Sequence, residues 1–242
     1  MLTLFRNLFF PPRHMILLLL ATWIGLTLAE KRTESHGISK EDLNNITYYS
    51  LIAFVGGGRL SFVLQNLSAF IKSPLGIISI NPDIFDPLGG MAVAIITAMI
   101  YGQRRGLKLW NKLDALTPFF AVLSIGLGLS HLAAGTAFGM ETNAAWGIDL
   151  WNATRHPTQL YETAASLLIF GLAWFQKQNP RPGILFLTYS MLTAASQLFI
   201  QAFRGDSTLI LNGFRQGQVI AWIALAVIFV LFEYQLGEGH EG

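Results

Sequence analysis

Ala115–Met140, reading ALTPFFAVLSIGLGLSHLAAGTAFGM, is the stretch that decides the fold. It carries no Asp, Glu, Lys or Arg and exceeds the roughly 20 helical residues that span a hydrocarbon core of about 30 Å. Six comparable stretches flank it: Met15–Ala29, Ile46–Leu67, Pro87–Gln103, Thr158–Gln176, Pro182–Phe203 and Gln216–Phe232. The first, third and last are slightly short, which flanking residues or local thinning of the bilayer accommodate. The pattern predicts an all-α, polytopic membrane protein with seven transmembrane helices forming a single transmembrane domain over residues 1–242.

Composition agrees. The chain is 52% hydrophobic and 12% charged, with mean hydropathy +0.48, whereas soluble domains carry about 25% charged residues. Its longest polar connections leave no room for a separate soluble domain. A net charge of +2 gives no basis for nucleic-acid binding. With no cysteine, the chain has no disulfide, iron–sulfur or thiolate-zinc site and no cysteine nucleophile of its own.

Orientation follows from Lys and Arg in the loops. With the N-terminus outside, the inner segments hold Lys31, Arg32, Lys40, Arg104, Arg105, Lys108, Lys112, Lys177 and Arg181. The outer ones hold Arg6, Arg13, Lys72, Arg155, Arg204 and Arg215. This bias, and the compact basic loop Arg104–Lys112, favour an N-out/C-in chain, with Lys108 cytoplasmic and Asn152 external. A rival reading makes Arg6, Arg13, the first apolar run and Thr27-Leu28-Ala29 a cleaved secretory signal, which would reverse the bias in the later loops. A retained first helix is the preferred reading.

In that topology the polar groups gather at the outer ends. Arg59 follows Gly56-Gly57-Gly58, His131 lies in the outer half of the fourth stretch, and Gln197 and Gln201 lie one turn apart in the sixth. Arg204, Asp206, Arg215 and Gln218 follow on the same side. Ionisable residues at membrane depth cost about 2.5–3.5 kcal/mol on insertion scales, so they face a bundle interior or a wet cavity. Each also has a plainer role: Arg59 snorkelling to the interface, His131 as a hydrogen-bonded core histidine, the glutamines joining helices, and Arg204 with Arg215 as a headgroup-facing surface.

Arg155-His156-Pro157-Thr158-Gln159-Leu160-Tyr161-Glu162 is the densest polar run. Proline suits a first helical position, so a helix is expected to begin near Pro157. Its free N–H groups and positive dipole end would suit an anion. Helical spacing would put Arg155, Gln159 and Glu162 on one face, with Tyr161 at the interface. The plainer alternative is a capped helix start with an interfacial tyrosine.

This run resembles the Arg-His-Pro-Ser-Gln-Leu-Tyr-Glu signature of prolipoprotein diacylglyceryl transferases. The similarity extends through Gly57-Gly58-Arg59 with Val63, Leu64 and Asn66, Gly89-Gly90-Met91, Gly135 through Gly139, Phe203-Arg204 before Asp206, and Gly217-Gln218. These landmarks keep the family's order from about residue 14 onward. The resemblance implies transfer of the diacylglyceryl group of phosphatidylglycerol to a cysteine thiol of a secreted prolipoprotein, with release of glycerol phosphate. It also implies a multi-pass location in the bacterial cytoplasmic (inner) membrane. Expected partners are phosphatidylglycerol or another anionic phospholipid, a lipobox peptide and the bilayer; no cofactor and no metal are expected.

Under this reading Arg59, Arg155, Gln159, Tyr161, Glu162, Gln197, Gln201, Arg204 and Gln218 are substrate-binding candidates, with Arg59 and Arg155 converging on the headgroup. His131 and His156 are the catalytic candidates, because imidazole suits proton transfer near neutrality. Gly135, Gly139 and Pro157 are structural. The chain departs from the family at several positions: Gly128 stands at an arginine, His131 at an asparagine, Thr136 at a glutamate, and Ala94 at a histidine. Gln197 and Gln201 replace an arginine and a glutamate, and a family tyrosine is missing near His14. The glutamines keep hydrogen bonding while removing two charges together, which avoids a buried unpaired ion. Three readings remain open: a divergent transferase, a non-catalytic relative binding an anionic lipid or lipopeptide, and a small-solute transporter or assembly subunit. Paired discontinuous helices would mark a transporter, and the sequence shows no such symmetry.

Overall fold

The computed structural model describes residues 13–78, 84–176, 181–210 and 213–237; Arg6 and Lys177 of the charge count lie outside them. Its helices, in chain order, are α1 (Arg13–Glu30), α2 (Lys40–Gln65), α3 (Leu67–Lys72), α4 (Pro87–Arg104), α5 (Leu109–Ala134), α6 (Thr158–Phe175), α7 (Ile184–Ile200) and α8 (Gln216–Gly237). Two antiparallel ribbons accompany them: β1 (Ile148–Leu150) with β2 (Ala153–Arg155), and β3 (Leu209–Ile210) with β4 (Phe214–Arg215).

Five helices among the described residues are long and apolar enough to cross a membrane: Arg13–Glu30, Lys40–Gln65, Leu109–Ala134, Ile184–Phe203 and Gln216–Gly237. The expected third and fifth spans are also helices, each of 18 residues. They fall short in apolarity, not length. Their sequences explain this: α4 ends on Gln103-Arg104, and α6 places Thr158, Gln159, Glu162 and Thr163 in its first two turns. The fourth apolar stretch stops being helical before it stops being apolar, since α5 ends at Ala134.

The ribbons modify the all-α expectation. Pro157 precedes α6, and the chain upstream pairs as a hairpin instead of extending the helix. Trp151 and Asn152 take φ of 55° and 59° at its tip, the positive values that a two-residue I′ turn requires. A tryptophan in that region costs about 1–2 kcal/mol. Its indole N–H donates 2.9 Å to Gly135 O, tying the hairpin tip to the end of α5.

Two compact units divide the chain, one of residues 1–32 and 113–242 and the other of residues 33–112. In the first, α5 is the central post, burying Ala115, Leu116, Phe119, Ala121 and Val122. A Cβ at Gly25 would lie 3.0 Å from Phe119 O, so α1 meets α5 almost backbone to backbone. On another side Phe120 packs against Phe186, and Ser124 and Tyr189 share a hydrogen bond of 2.8 Å. α7 packs between α6 and α8. α8 buries only Ala221 and exposes Ile220, Trp222, Ile223, Val227, Phe229 and Val230, the surface expected of a helix bathed in lipid.

Polar capping closes the ends. Asp114 accepts from the N–H groups of Gly183 (2.6 Å) and Phe186 (2.9 Å) at the start of α7. Arg32 donates to the carbonyls of Ala173 and Trp174 at the end of α6 and lies 4.3 Å from the Trp174 ring centroid. Arg181 donates to Leu236 O, near the end of α8. Cations at helix C-termini meet the negative dipole end and its free carbonyls.

The second unit is built on α2 against α4. A Cβ at Gly57 would lie 2.6 Å from Val93, and one at Gly90 2.6 Å from Phe54 O. Cβ atoms at Gly58 and Gly89 would overlap the Phe85 ring and Ser61. Asp86 caps α4, accepting from Leu88 N and Gly89 N, and also receives Ser61 Oγ (2.6 Å) and Gln65 Nε2 (2.8 Å). These donors, the Ser61 hydroxyl foremost, hold its carboxyl below the usual carboxylate range.

Candidate functional site

His131 owes its position to the way α5 ends. Gly135 takes φ +68°, Thr136 N donates to His131 O (3.1 Å), and Gly135 N donates to Leu132 O (3.3 Å). This 6→1 and 5→2 pair is a Schellman motif, and only glycine fits its left-handed residue without strain. The imidazole points across to α6, where His131 Nδ1 lies 3.0 Å from Glu162 Oε2.

Glu162 is buried, and both of its oxygens are engaged. Arg204 Nη1 donates to Oε1 at 3.0 Å, and the same guanidinium grips Asp206 through Nε (2.8 Å) and Nη2 (3.3 Å). His131, Glu162, Arg204 and Asp206 therefore form one charged chain, running from the end of α5 across α6 to the loop after α7. Arg215 reinforces it by donating to Arg204 O and to Met140 Sδ.

The first turn of α6 grips the segment after α5. Thr158 Oγ1 donates to Ala137 O (2.6 Å) and Gln159 Nε2 to Thr136 O (2.9 Å). Gln159 is fully buried, and its Oε1 has no hydrogen-bond partner. A Cβ at Gly139 would lie 2.6 Å from His156 Cβ and would overlap His156 O, so no side chain fits there. Gly139 and Arg204 form a β-bridge, with Met140 N donating to Phe203 O (2.8 Å).

Arg155 departs from its expected place. It belongs to β2, pairing with Ile148 and bridging Glu141, so it does not continue the α6 face that carries Gln159 and Glu162. Pro157, which donates no N–H, separates the two elements. The Arg155 guanidinium donates to Leu150 O (3.1 Å), Gly139 O (3.4 Å) and Glu141 Oε1 (3.3 Å).

Aromatic rings complete the cluster. His156 packs 5.1 Å from Phe203, beside Arg204, and its Nδ1 lies 3.2 Å from Tyr161 Oη. Trp146 Nε1 donates to that hydroxyl at 2.8 Å. Gln201 Nε2 reaches Gln197 Oε1 at 3.5 Å, Ser207 Oγ donates to Gln201 Oε1 at 3.2 Å, and Gln218 Nε2 reaches Leu198 O at 3.4 Å. Gln197 and Gln201 therefore form a local polar ladder.

Gly128 lies one turn before His131 on α5. A Cβ there would sit 2.5 Å from Thr163 Oγ1 and 3.0 Å from Thr163 N. The helices touch at that point, which brings His131 within reach of Glu162, the neighbour of Thr163. Arg59 belongs to the second unit, where it donates to Ile77 O (3.2 Å), Ile84 O (3.0 Å) and Gly76 O (3.0 Å). Ala94 is also in that unit, on α4.

Sequence reasoning did not single out Trp146, Glu141 or Thr163. Trp146 stands in the irregular run Ala144-Ala145-Trp146-Gly147, where no periodicity gives it a partner. Thr163 has one cue, its place directly after the Arg-His-Pro-Thr-Gln-Leu-Tyr-Glu run.

Apolar helices enclosing an ionic chain at one end define a multi-pass membrane protein with a polar site. The sequence model of prolipoprotein diacylglyceryl transferase matches residues 13–234. The chain belongs to that family. It is similar to phosphatidylglycerol–prolipoprotein diacylglyceryl transferases from Finegoldia magna (26% identical, covering 90% of this chain and 88% of the relative) and Oleidesulfovibrio alaskensis (28%, covering 78% and 73%). A Bacillus cereus protein of the same name is 26% identical, with 89% and 85% covered.

Proposed function

We propose that this chain is a divergent diacylglyceryl transferase of the bacterial cytoplasmic membrane, with seven spans, its N-terminus outside and its C-terminus inside. It takes phosphatidylglycerol as donor and a prolipoprotein cysteine as acceptor. The observation that carries this reading is the buried Glu162 carboxylate, held by Arg204 on one oxygen and aimed at His131 Nδ1 by the other. A carboxylate on Nδ1 orients the imidazole and leaves Nε2 to act as a base. The catalytic role passes to a histidine on α5, while the family's histidine position holds Ala94.

In the reaction His131 Nε2 accepts the thiol proton, the sulfur forms a bond to the terminal glyceryl carbon, and that carbon's bond to the phosphate oxygen breaks. The oxygen leaves with the bonding pair on glycerol phosphate, which finally takes up the proton. Arg155 and the N-terminal turn of α6 supply positive potential for the phosphate. The acceptor brings the sulfur nucleophile, so a chain without cysteine suffices.

A second reading, a non-catalytic relative that binds lipid or lipopeptide, is favoured by one specific observation. The contact of Gly128 with Thr163 leaves no space for the arginine that the family places there. Purified protein with phosphatidylglycerol and a lipobox peptide, assayed for thioether product by mass spectrometry, separates the two. The transferase reading expects product, reduced about 10²–10⁴-fold in His131→Asn, as for loss of a general base. Absence of product from the parent protein, with lipid still bound, establishes the second reading. Impermeant labelling of single cysteines introduced at Lys108 and Asn152 tests the orientation: only the second is expected to react from outside.

A further inference from the structure

The hydrogen bonds around the two histidines have a direction that can be read from donor chemistry. Trp146 Nε1 lies 2.8 Å from Tyr161 Oη, and an indole N–H only donates. The Tyr161 oxygen therefore accepts from Trp146. Its single proton can then be given to the other neighbour, His156 Nδ1, at 3.2 Å. A ring nitrogen that accepts is bare, and in a neutral imidazole the proton then sits on the other nitrogen.

His131 has the reverse arrangement. Its Nδ1 faces Glu162 Oε2 at 3.0 Å, and an ionised carboxylate only accepts. Arg204, which only donates, holds the other oxygen, Oε1, as an acceptor at 3.0 Å. Facing a carboxylate, His131 carries a proton on Nδ1, and in the neutral imidazole Nε2 is then bare.

We infer that the two histidines are held as opposite neutral tautomers: His131 with a bare Nε2, and His156 with a protonated Nε2. Trp146 is the positioning residue that sets the second of these through Tyr161. The chemical meaning rests on the diacylglyceryl-transfer reading. One imidazole can take the thiol proton, and the other presents an N–H to an oxygen of the departing phosphate. His156 then serves as a hydrogen-bond donor, and the two histidines are not interchangeable bases. Phe203, 5.1 Å from the His156 ring, keeps that imidazole beside the Arg204–Glu162 chain.

Trp146 is 65% exposed, so replacing it removes a donor without opening a core. The test is two-bond ¹⁵N–¹H correlation spectroscopy of histidine-labelled protein in lipid nanodiscs, at a pH where the rings show one proton each. Signals are assigned with His131→Asn and His156→Asn. The expected spectrum shows the Nδ1–H pattern for His131 and the Nε2–H pattern for His156. Trp146→Phe should shift His156 toward a tautomer mixture and leave His131 unchanged; Tyr161→Phe, which removes the donor itself, should do the same. In the thioether assay Trp146→Phe should lower kcat by roughly tenfold, short of the loss of a base, with KM little changed. A parent spectrum with Nδ1–H on His156, or a His156 pattern unmoved in both variants, overturns the inference whatever the activity. Absence of thioether product from the parent would instead sink the transfer reading, and the spectra would still decide the tautomers.

Discussion

Arg204 and Arg59 both lie in segments that resemble the family, yet their surroundings differ. Arg204 is wired to two carboxylates, Glu162 and Asp206, and through Glu162 to His131. Arg59 donates to three backbone carbonyls, of Gly76, Ile77 and Ile84. The first arrangement couples charges, so altering one member changes the electrostatics of the rest. The second ties α2 to the backbone at Gly76, Ile77 and Ile84. Among the contacts described, Arg204 thus serves carboxylates and Arg59 serves backbone carbonyls.

Replacing each arginine by alanine tests the contrast most strongly. Arg204→Ala leaves Glu162 buried without its cation, and losing one partner of a buried pair costs about 3–5 kcal/mol. Arg59→Ala removes hydrogen bonds to neutral carbonyls, at about 1–3 kcal/mol. Thermal unfolding of the two variants in the same detergent should rank them in that order. Equal losses would erase the distinction drawn here.

Glycine contacts give a smaller effect. Gly128→Ala forces a methyl against Thr163, and Gly58→Ala forces one into the Phe85 ring. Overpacking of this kind costs about 1–3 kcal/mol. Gly56, in the same triplet as Gly58, has open space at its Cβ position. Gly56→Ala should therefore stabilise α2 by about 0.5–1 kcal/mol through helix propensity. Denaturation midpoints of the three variants check this, and a loss at Gly56 equal to that at Gly58 would break the packing account. Gly128→Ala should in addition slow thioether formation, because it widens the approach of His131 to Glu162.

The weakest expected effect is a pH dependence in the second unit. The folded-state pKa of Asp86 is lowered, first by the Ser61 hydroxyl and then by its amide donors. A depressed carboxylate contributes stability that is fully present above its unfolded value, about 3.9, and is lost as pH falls through the folded value. Melting curves taken below about pH 4 should fall more steeply for the parent than for Asp86→Asn. Parallel curves would remove Asp86 as a contributor.

Much of this organisation was legible in the chain. Apolar runs place helices because hydrocarbon leaves a backbone few alternatives to internal hydrogen bonding. The two runs that fell short in apolarity are the one that ends on Gln103-Arg104 and the one that opens with Thr158 to Thr163. The helix start after Pro157 also followed from local chemistry, and His131, Glu162 and Arg204, each singled out from the sequence, come together in the structure. The placement of Arg155 did not, because hairpin pairing with Ile148 overrode the helical spacing.

By itself the sequence determined a helical membrane protein and the family signature, since hydropathy, proline and residue identity act locally. Only the tertiary structure decided that Gly128 closes on Thr163, that His131 and Arg204 share Glu162, and that Trp146 and His156 meet at the Tyr161 hydroxyl. The physical reason is direction: a side chain's composition states what it can donate or accept, and packing alone chooses which partner it faces.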